Sequence, residues 1–397
     1  MAKKVKDTDY LFISTYLHSR ERDLLTAARM ERMIEAPTAE EAAKVLTEIG
    51  YGEFNTASPR ELGSILAQEQ EKLFADLYRF VPDKAVVDVF KVKYDYHNLK
   101  ALLKAHATGT DAPDRLLLDA GRVSAQEMRR AVWEGDYSVL PPALRAAAEE
   151  ASEMLSATGD PQLADFQLDR AYYEEMLSAA GNTGSEFLVR YVRATIDAAN
   201  LRSAVRTLRM KKGADMLRRV LVPGGAIGAD SVQTAALNGN LEELYRSTSL
   251  RQAAELGTAA AAGGSLTAFE KACDDAVAAV AAGARSVPFG VESVISYLAA
   301  KENEFTAVRI IMSGRMAGIS GDTFPVEGVE EGRQALHRLA KEEYAIIYIT
   351  EQLAQSIRAE VDRYKTSVTP AVILIPGKGG SLGLGAQALQ SAGERAV

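Results

Sequence analysis

The chain has one cysteine, Cys273, in 397 residues. An internal disulfide is therefore excluded, and a reducing compartment is the expectation. Histidine is nearly as scarce: His18, His97, His106 and His337 are the full set. None falls in a Cys-x-x-Cys or His-Glu-x-x-His spacing, so no metal ligand is assigned. No apolar run approaches the roughly 20 residues needed to cross a bilayer. The start, Met1 to Asp7, has a basic end with no apolar stretch behind it, so no signal peptide is expected there. A basic balance is missing as well. The net charge of −8 disfavours a nucleic-acid binder, because phosphate contacts need a basic face.

What remains is an ordinary globular composition, 47% hydrophobic and 25% charged, which excludes wholesale disorder. The length allows two or three domains, each able to bury a core. Little in the chain promises chemistry. His97 and His106 share one expected helix but point to different faces, and both are read as structural. Cys273 stands beside Asp274 and Asp275, whose charge opposes a thiolate, so it is read as inert. Gly383-Leu384-Gly385-Ala386-Gln387-Ala388 matches a dinucleotide fingerprint in letters, yet it does not follow the first strand of a βαβ unit. Gly377-Lys378-Gly379-Gly380-Ser381 lacks the spacing of a P-loop. Both glycine stretches are read as linkers. Acidic pairs such as Glu40/Glu41 and Glu149/Glu150 are read as solvated faces or first-turn charges. No catalytic residue and no cofactor is assigned.

The positive signal is a repeat. Tyr94-Asp95-Tyr96-His97-Asn98-Leu99-Lys100 returns as Asp197-Ala198-Ala199-Asn200-Leu201-Arg202, and again as Ala300-Lys301-Glu302-Asn303-Glu304-Phe305. After each Asn, the first, fourth, fifth and eighth positions are mostly apolar, which is one face of a helix. Leu99, Leu102 and Leu103 give this stripe in the first copy, and Leu201, Ala204 and Val205 in the second. The third has Ala307 and Val308 but breaks the rule at Glu304. A cation follows each stripe: Lys104, Arg206 and Arg309. These three are the candidate interface residues if the copies surround a pseudo-axis; otherwise they are surface cations near helix middles.

Around the repeat, helix signals dominate. Tyr10 to Ile34 reads as one helix, kinked near Arg20. Thr38 with Glu41, and Ser58 with Pro59, open the next two. Later helices are expected at Lys84–His106, Met128–Trp133, Pro142–Met154, Pro161–Ala180, Glu186–Lys211, Leu241–Tyr245, Ser249–Leu256, Phe269–Ala282 and Gly290–Arg315. Gly257 to Gly264 is either a flexible break or a tolerant helix. After Gly318 the character changes. Helix Val329–Glu342, strand Tyr344–Ile349, helix Glu351–Tyr364 and strand Pro370–Ile375 make a βαβ unit with parallel pairing. Thr323-Phe324-Pro325-Val326 is a candidate edge strand. The fold class is thus mainly α, with helical units at 1–110, 111–215 and 216–322 and a short α/β segment at 323–397.

The motif Tyr94 to Lys100, the threefold pattern, Arg20 to Leu25 and Gly50-Tyr51-Gly52 together resemble the C subunit of the A-type/V-type rotary ATPases, called the d subunit in eukaryotes. The resemblance covers about residues 7 to 319. It implies a funnel of three helical units that caps the membrane rotor ring and receives the foot of the central shaft. It also implies a non-catalytic coupling role, shaft subunits of the D and F types as partners, and a place on the cytoplasmic, inner face of the membrane. The tail, Tyr344 to Gly377, is similar to the F subunit of the same machine, a small α/β protein bound to the shaft. An F subunit would begin with its own strand and helix, which are not found here. In a flavodoxin-like order that strand lies inside the sheet, so a tail less stable than the body is expected past Gly321. Two other readings stay open: a free-standing helical scaffold, and a nucleotide-responsive regulator working through the tail.

Overall fold

The computed structural model describes residues 5–55, 58–316, 326, 328–341, 346–364 and 371–375. Local capping chemistry explains most helix boundaries. Helix α1 is Leu11–Arg20 and α2 is Ala27–Glu35. The apolar spacing suggests one kinked helix across this stretch, but the chain breaks fully between them. Glu21–Asp23 is a 3-10 turn, Leu24 is extended, and the Thr26 hydroxyl accepts from the Arg29 N–H to start α2 afresh. Thr38 does the same for α3, Ala39–Glu48, taking the Glu41 N–H at 3.2 Å. Gly50, at φ 94°, turns the chain after that helix. Helix α4, Pro59–Phe80, starts on Ser58, and α5, Lys84–Ala107, starts on Asp83.

The next helices follow the same logic. A reciprocal Ser124/Glu127 capping box opens α6, Ala125–Glu134. Proline takes the first position of α7, Pro142–Thr158, and of α8, Pro161–Asn182. Ser185 caps α9, Glu186–Arg209. Then come α10, Ala214–Val220, and α11, Ala229–Asn238, which are additions to the helices expected from the sequence. Neither has a side-chain cap, so the usual start signal is missing. Helices α12, Leu241–Tyr245, α13, Arg251–Ala261, α14, Leu266–Ala282, and α15, Val291–Met316, complete the body. The alanine-rich stretch is therefore helix as far as Ala261.

The tail contains α16, Val329–Leu339, then β1, Ile346–Thr350, α17, Glu351–Ser356, α18, Arg358–Asp362, and β2, Ala371–Ile375. The helix expected over Glu351–Tyr364 is split at Ile357, whose side chain is buried while its backbone (φ −120°, ψ 38°) leaves the helical region. The strands pair in parallel, Ile346 against Ala371 through Thr350 against Ile375, as the βαβ reading requires. The expected edge strand at Thr323–Val326 lies outside the described residues apart from Val326. Both glycine stretches after Ile375 lie outside them too.

The architecture is mainly α, with two compact units: Met1–Leu24 with Gly63–Thr306, and Leu25–Leu62 with Ala307–Val397. In the first, one apolar cluster forms on α5 to α8 around Leu99, Leu102, Met128, Leu144 and Leu168. A second forms on α9 to α14 around Leu201, Val205, Leu217, Tyr245 and Phe269. In the second unit, Ile347 and Ile349 of β1 pack with Leu336, Leu339, Ala354, Ile357 and Val361. Among the described residues no helix is long and apolar enough to cross a membrane.

Candidate interface

The apolar stripe of the repeat does what its spacing implies. Leu99, Leu102 and Leu103 on α5 are buried, as are Leu201, Ala204 and Val205 on α9. Glu304, the exception on α15, is buried as well and forms an ion pair with Lys301. The pairing explains how a carboxylate can occupy an apolar position.

The Asn of the motif has a sharper role than the stripe. Asn98 is buried, and its amide binds both backbone groups of one residue in the returning loop. Its Nδ2 donates to the Leu118 carbonyl at 2.8 Å, and its Oδ1 accepts from the Leu118 N–H at 2.9 Å. Asn200 repeats this on Val222, with both distances 2.8 Å. One turn earlier, Asp95 accepts the Arg122 and Val123 N–H groups, at 2.9 and 3.2 Å. Asp197 accepts those of Ala226 and Ile227, both at 3.1 Å. The carboxylates lie so close to the loops that only glycine fits beside them: a Cβ on Gly121 would collide with Asp95 Oδ1, and one on Gly225 with Asp197 Oδ1. Each Asp-x-x-Asn is thus a clamp that fixes a loop onto its helix. Its signal in the sequence is the Asp three residues before Asn98 and Asn200, together with the two downstream glycines. The apolar stripe alone does not reveal it.

The two carboxylates differ in their partners, although burial raises the pKa of both. Asp95 also accepts from Arg122 Nε at 2.6 Å, and Arg122 Nη1 donates to Glu175 at 2.6 Å. Burial works against the Arg122 charge, but the hydrogen bonds to Glu175 and Asp95 outweigh it and raise its pKa. Glu175 in turn accepts from the Tyr96 hydroxyl at 3.0 Å. Asp197 has no such guanidinium. Burial raises its pKa above the usual carboxylate range, only partly opposed by the Ile227 and Ala226 N–H groups and the charge of Arg193.

Tyr94 and Lys93 tie α5 to α15. The Tyr94 hydroxyl donates to Glu302 at 2.7 Å and accepts from Gln70 Nε2 at 3.1 Å, while Lys93 pairs with Glu302. Two of the candidate cations serve similar joints. Lys104 pairs with Asp165 at 2.6 Å, one turn from the Lys100–Asp169 pair, on the α5/α8 contact. Arg206 holds Glu270 through Nε at 2.9 Å, beside the Arg202–Asp274 pair, on the α9/α14 contact. Lys104 and Arg206 therefore sit at separate joints. Arg309 is exposed on α15 and belongs to the second compact unit.

The remaining reactive types are held structurally. His97 Nε2 lies 2.9 Å from the Leu116 carbonyl, and His106 stands edge-on to Trp133. Burial first, then the charges of Asp274 and Glu270, push the Cys273 thiol up to about 11, although Arg202 opposes them. Among the described residues no group of His, Cys, Asp and Glu could hold a metal ion.

Comparison with known proteins agrees with this architecture. The family model described as "ATP synthase (C/AC39) subunit" matches residues 13–324, and "ATP synthase (F/14-kDa) subunit" matches residues 309–391. The C subunit of the V-type sodium ATPase of Enterococcus hirae is 24% identical over 314 residues, covering 77% of this chain and 94% of that protein. The C subunit of the A-type ATP synthase of Methanocaldococcus jannaschii is 25% identical over 334 residues, 78% of this chain and 84% of that protein. The F subunit of the V-type ATP synthase of Clostridium botulinum is 45% identical over 76 residues, 19% of this chain and 74% of that protein. The chain belongs to the ATP synthase C/AC39 subunit family, and its end is a segment of the F/14-kDa subunit family.

Proposed function

We propose that this chain is a non-catalytic coupling subunit of a V/A-type rotary ATPase, linking the central shaft to the membrane rotor ring. The observation that carries the reading is the C-type family match across residues 13–324, almost the whole helical body. The physical features support it. A part that passes torque must resist shear, and the paired Asp-x-x-Asn clamps fix two loops rigidly to the long helices α5 and α9. In this reading the body is made of helical units at 1–110, 111–215 and 216–322, arranged as a funnel. Shaft subunits of the D and F types and the rotor ring are its partners, at the cytoplasmic face of the membrane. Lys104, Arg206 and Arg309, all three exposed, are its contact cations.

The experiment is a deletion in the source organism followed by purification of the membrane ATPase. The expected outcome is that the tagged chain co-purifies with the ATPase, and that its loss uncouples ATP turnover from ion pumping. Ion pumping that continues unchanged in the deletion strain refutes the reading.

A further inference from the structure

The second copy of the repeat ends in a cluster of cations that carboxylates do not balance. Helix α9 stops at Arg209, and after four linking residues α10 begins at Ala214. From Arg209 to Arg219 the chain carries Arg209, Lys211, Lys212, Arg218 and Arg219 against a single acid, Asp215. All five cations are exposed, in a chain whose net charge is −8. Of the five, only Arg218 pairs with a carboxylate among the described residues, that of Asp215. Arg209 Nη1 donates instead to the Ala260 and Gly264 carbonyls, at 2.8 and 2.6 Å. Arg170 of α8 brings one more exposed cation, donating to the Arg218 and Leu221 carbonyls at 3.3 and 3.4 Å.

The turn itself does not need one of these charges. Lys211 lies at φ 54°, the one non-glycine residue at positive φ among the described residues. The first copy of the repeat makes the same turn with glycine. There the Gly109 N–H donates to the His106 carbonyl and the Thr110 N–H to that of Ala105. In the second copy the Lys211 N–H donates to Leu208 and the Lys212 N–H to Thr207. Gly109 and Lys211 each stand eleven positions after the Asn of their copy. Glycine takes φ 65° there without steric cost, whereas the Cβ of a lysine is crowded. A strained residue kept where glycine suffices points to a use for its side chain. Met210, between the cations, is an apolar side chain left 57% exposed.

We propose that the α9/α10 junction docks on an anionic phospholipid bilayer, with Lys211, Lys212 and Arg219 meeting headgroup phosphates and Met210 entering the interface. Five consecutive exposed residues, Arg209 to Gly213, project from the helix ends, and a fluid surface receives such a knob without a matching groove. An acidic protein segment would satisfy the cations but not Met210, whereas a bilayer satisfies both. Each cation near an anionic membrane strengthens attachment, and salt screens the attraction. The inference goes beyond the coupling role, and binding to vesicles is read independently of it.

The test sediments the full-length protein with vesicles of phosphatidylcholine mixed with phosphatidylglycerol, and with vesicles of phosphatidylcholine alone. Binding to the mixed vesicles only is expected, and it should be lost at about 1 M salt, where the screening length is about 3 Å. Lys211→Gln combined with Lys212→Gln should weaken binding about tenfold or more. Met210→Gln should weaken it as well, and Lys211→Arg should bind as the wild type does. Lys211→Gly separates binding from folding: it should raise the urea midpoint by relieving the turn, yet weaken vesicle binding. The proposal is overturned by absent binding, by equal binding to neutral vesicles, or by binding that ignores the double substitution. It is equally overturned if Lys211→Gly lowers the urea midpoint, because the lysine then serves the fold. Binding to polyglutamate as tight as to the mixed vesicles, with Met210→Gln affecting neither, would also overturn it and make an acidic protein segment the partner.

Discussion

Asp197, like Asp95, is a carboxylate whose burial is at odds with its charge. It is buried, it accepts two backbone N–H groups, and no arginine stands where Arg122 faces Asp95. Its pKa in the folded state lies above the ordinary carboxylate value, with burial the largest cause. The folded protein therefore holds this proton more tightly than the unfolded chain does. Between the ordinary value and the raised one, folding binds the proton, so stability falls as pH rises through that window and is level above it. Asp197→Asn removes the titration. Urea unfolding measured from about pH 4 to pH 7 should show the wild type losing stability relative to Asp197→Asn as pH rises. A difference that stays constant over this range would show that the carboxylate does not titrate there.

At the scale of elements, packing decides where local signals are ambiguous. Gly257 sits in the middle of α13, where glycine costs helix stability relative to alanine. It is there because a Cβ would come within 2.9 Å of Val205 Cγ2 and 3.1 Å of Phe269 Cε2, both side chains buried in the α9–α14 core. On propensity alone Gly257→Ala would stabilise by about 1 kcal/mol. The contacts reverse the sign, and a net loss of about 1 kcal/mol or more is expected from overpacking, measured as a lower urea midpoint with an unchanged slope. An unchanged or higher midpoint would mean that α13 can shift away from α9.

The same competition explains which elements are legible in the sequence. Helices with a cap and a long apolar stripe, such as α3, α6 and α8, can be placed to within a few residues, because their boundaries are set by groups adjacent in the chain. Helices α10 and α11 carry no capping side chain, although Val232, Ala235 and Ala236 hold helical spacing for α11. The break at Leu24 to Thr26 is readable in Thr26, but the apolar residues on either side outweigh it. Of the candidate site, the Asn repeat is visible and its use is not. Asn98 binds a residue 20 positions away and Asp95 one 27 positions away, and no local pattern specifies which loop will return to a given helix.

For the molecule as a whole, the decisive feature is that two families share one chain and overlap at residues 309–324. The helical body has two large clusters of buried side chains and the clamps that bind loops to helices. The F-type segment has a much smaller described core around Ile347 and Ile349. Its register-paired Tyr348 and Ile373 remain 45% and 37% exposed, although strands in parallel sheets are normally covered on both faces. A sheet open in this way has less apolar burial to oppose local unfolding. Limited proteolysis of the full chain should accordingly cut past Gly321 first, leaving a resistant fragment that contains the helical body. Mass spectrometry of the early fragments reads this directly. Cleavage within α5 to α14 at the same rate as in the tail would contradict it and would place the two parts at equal stability. If the tail instead becomes resistant once the purified shaft subunits are added, the surface carrying Tyr348 and Ile373 lies within the region that they protect.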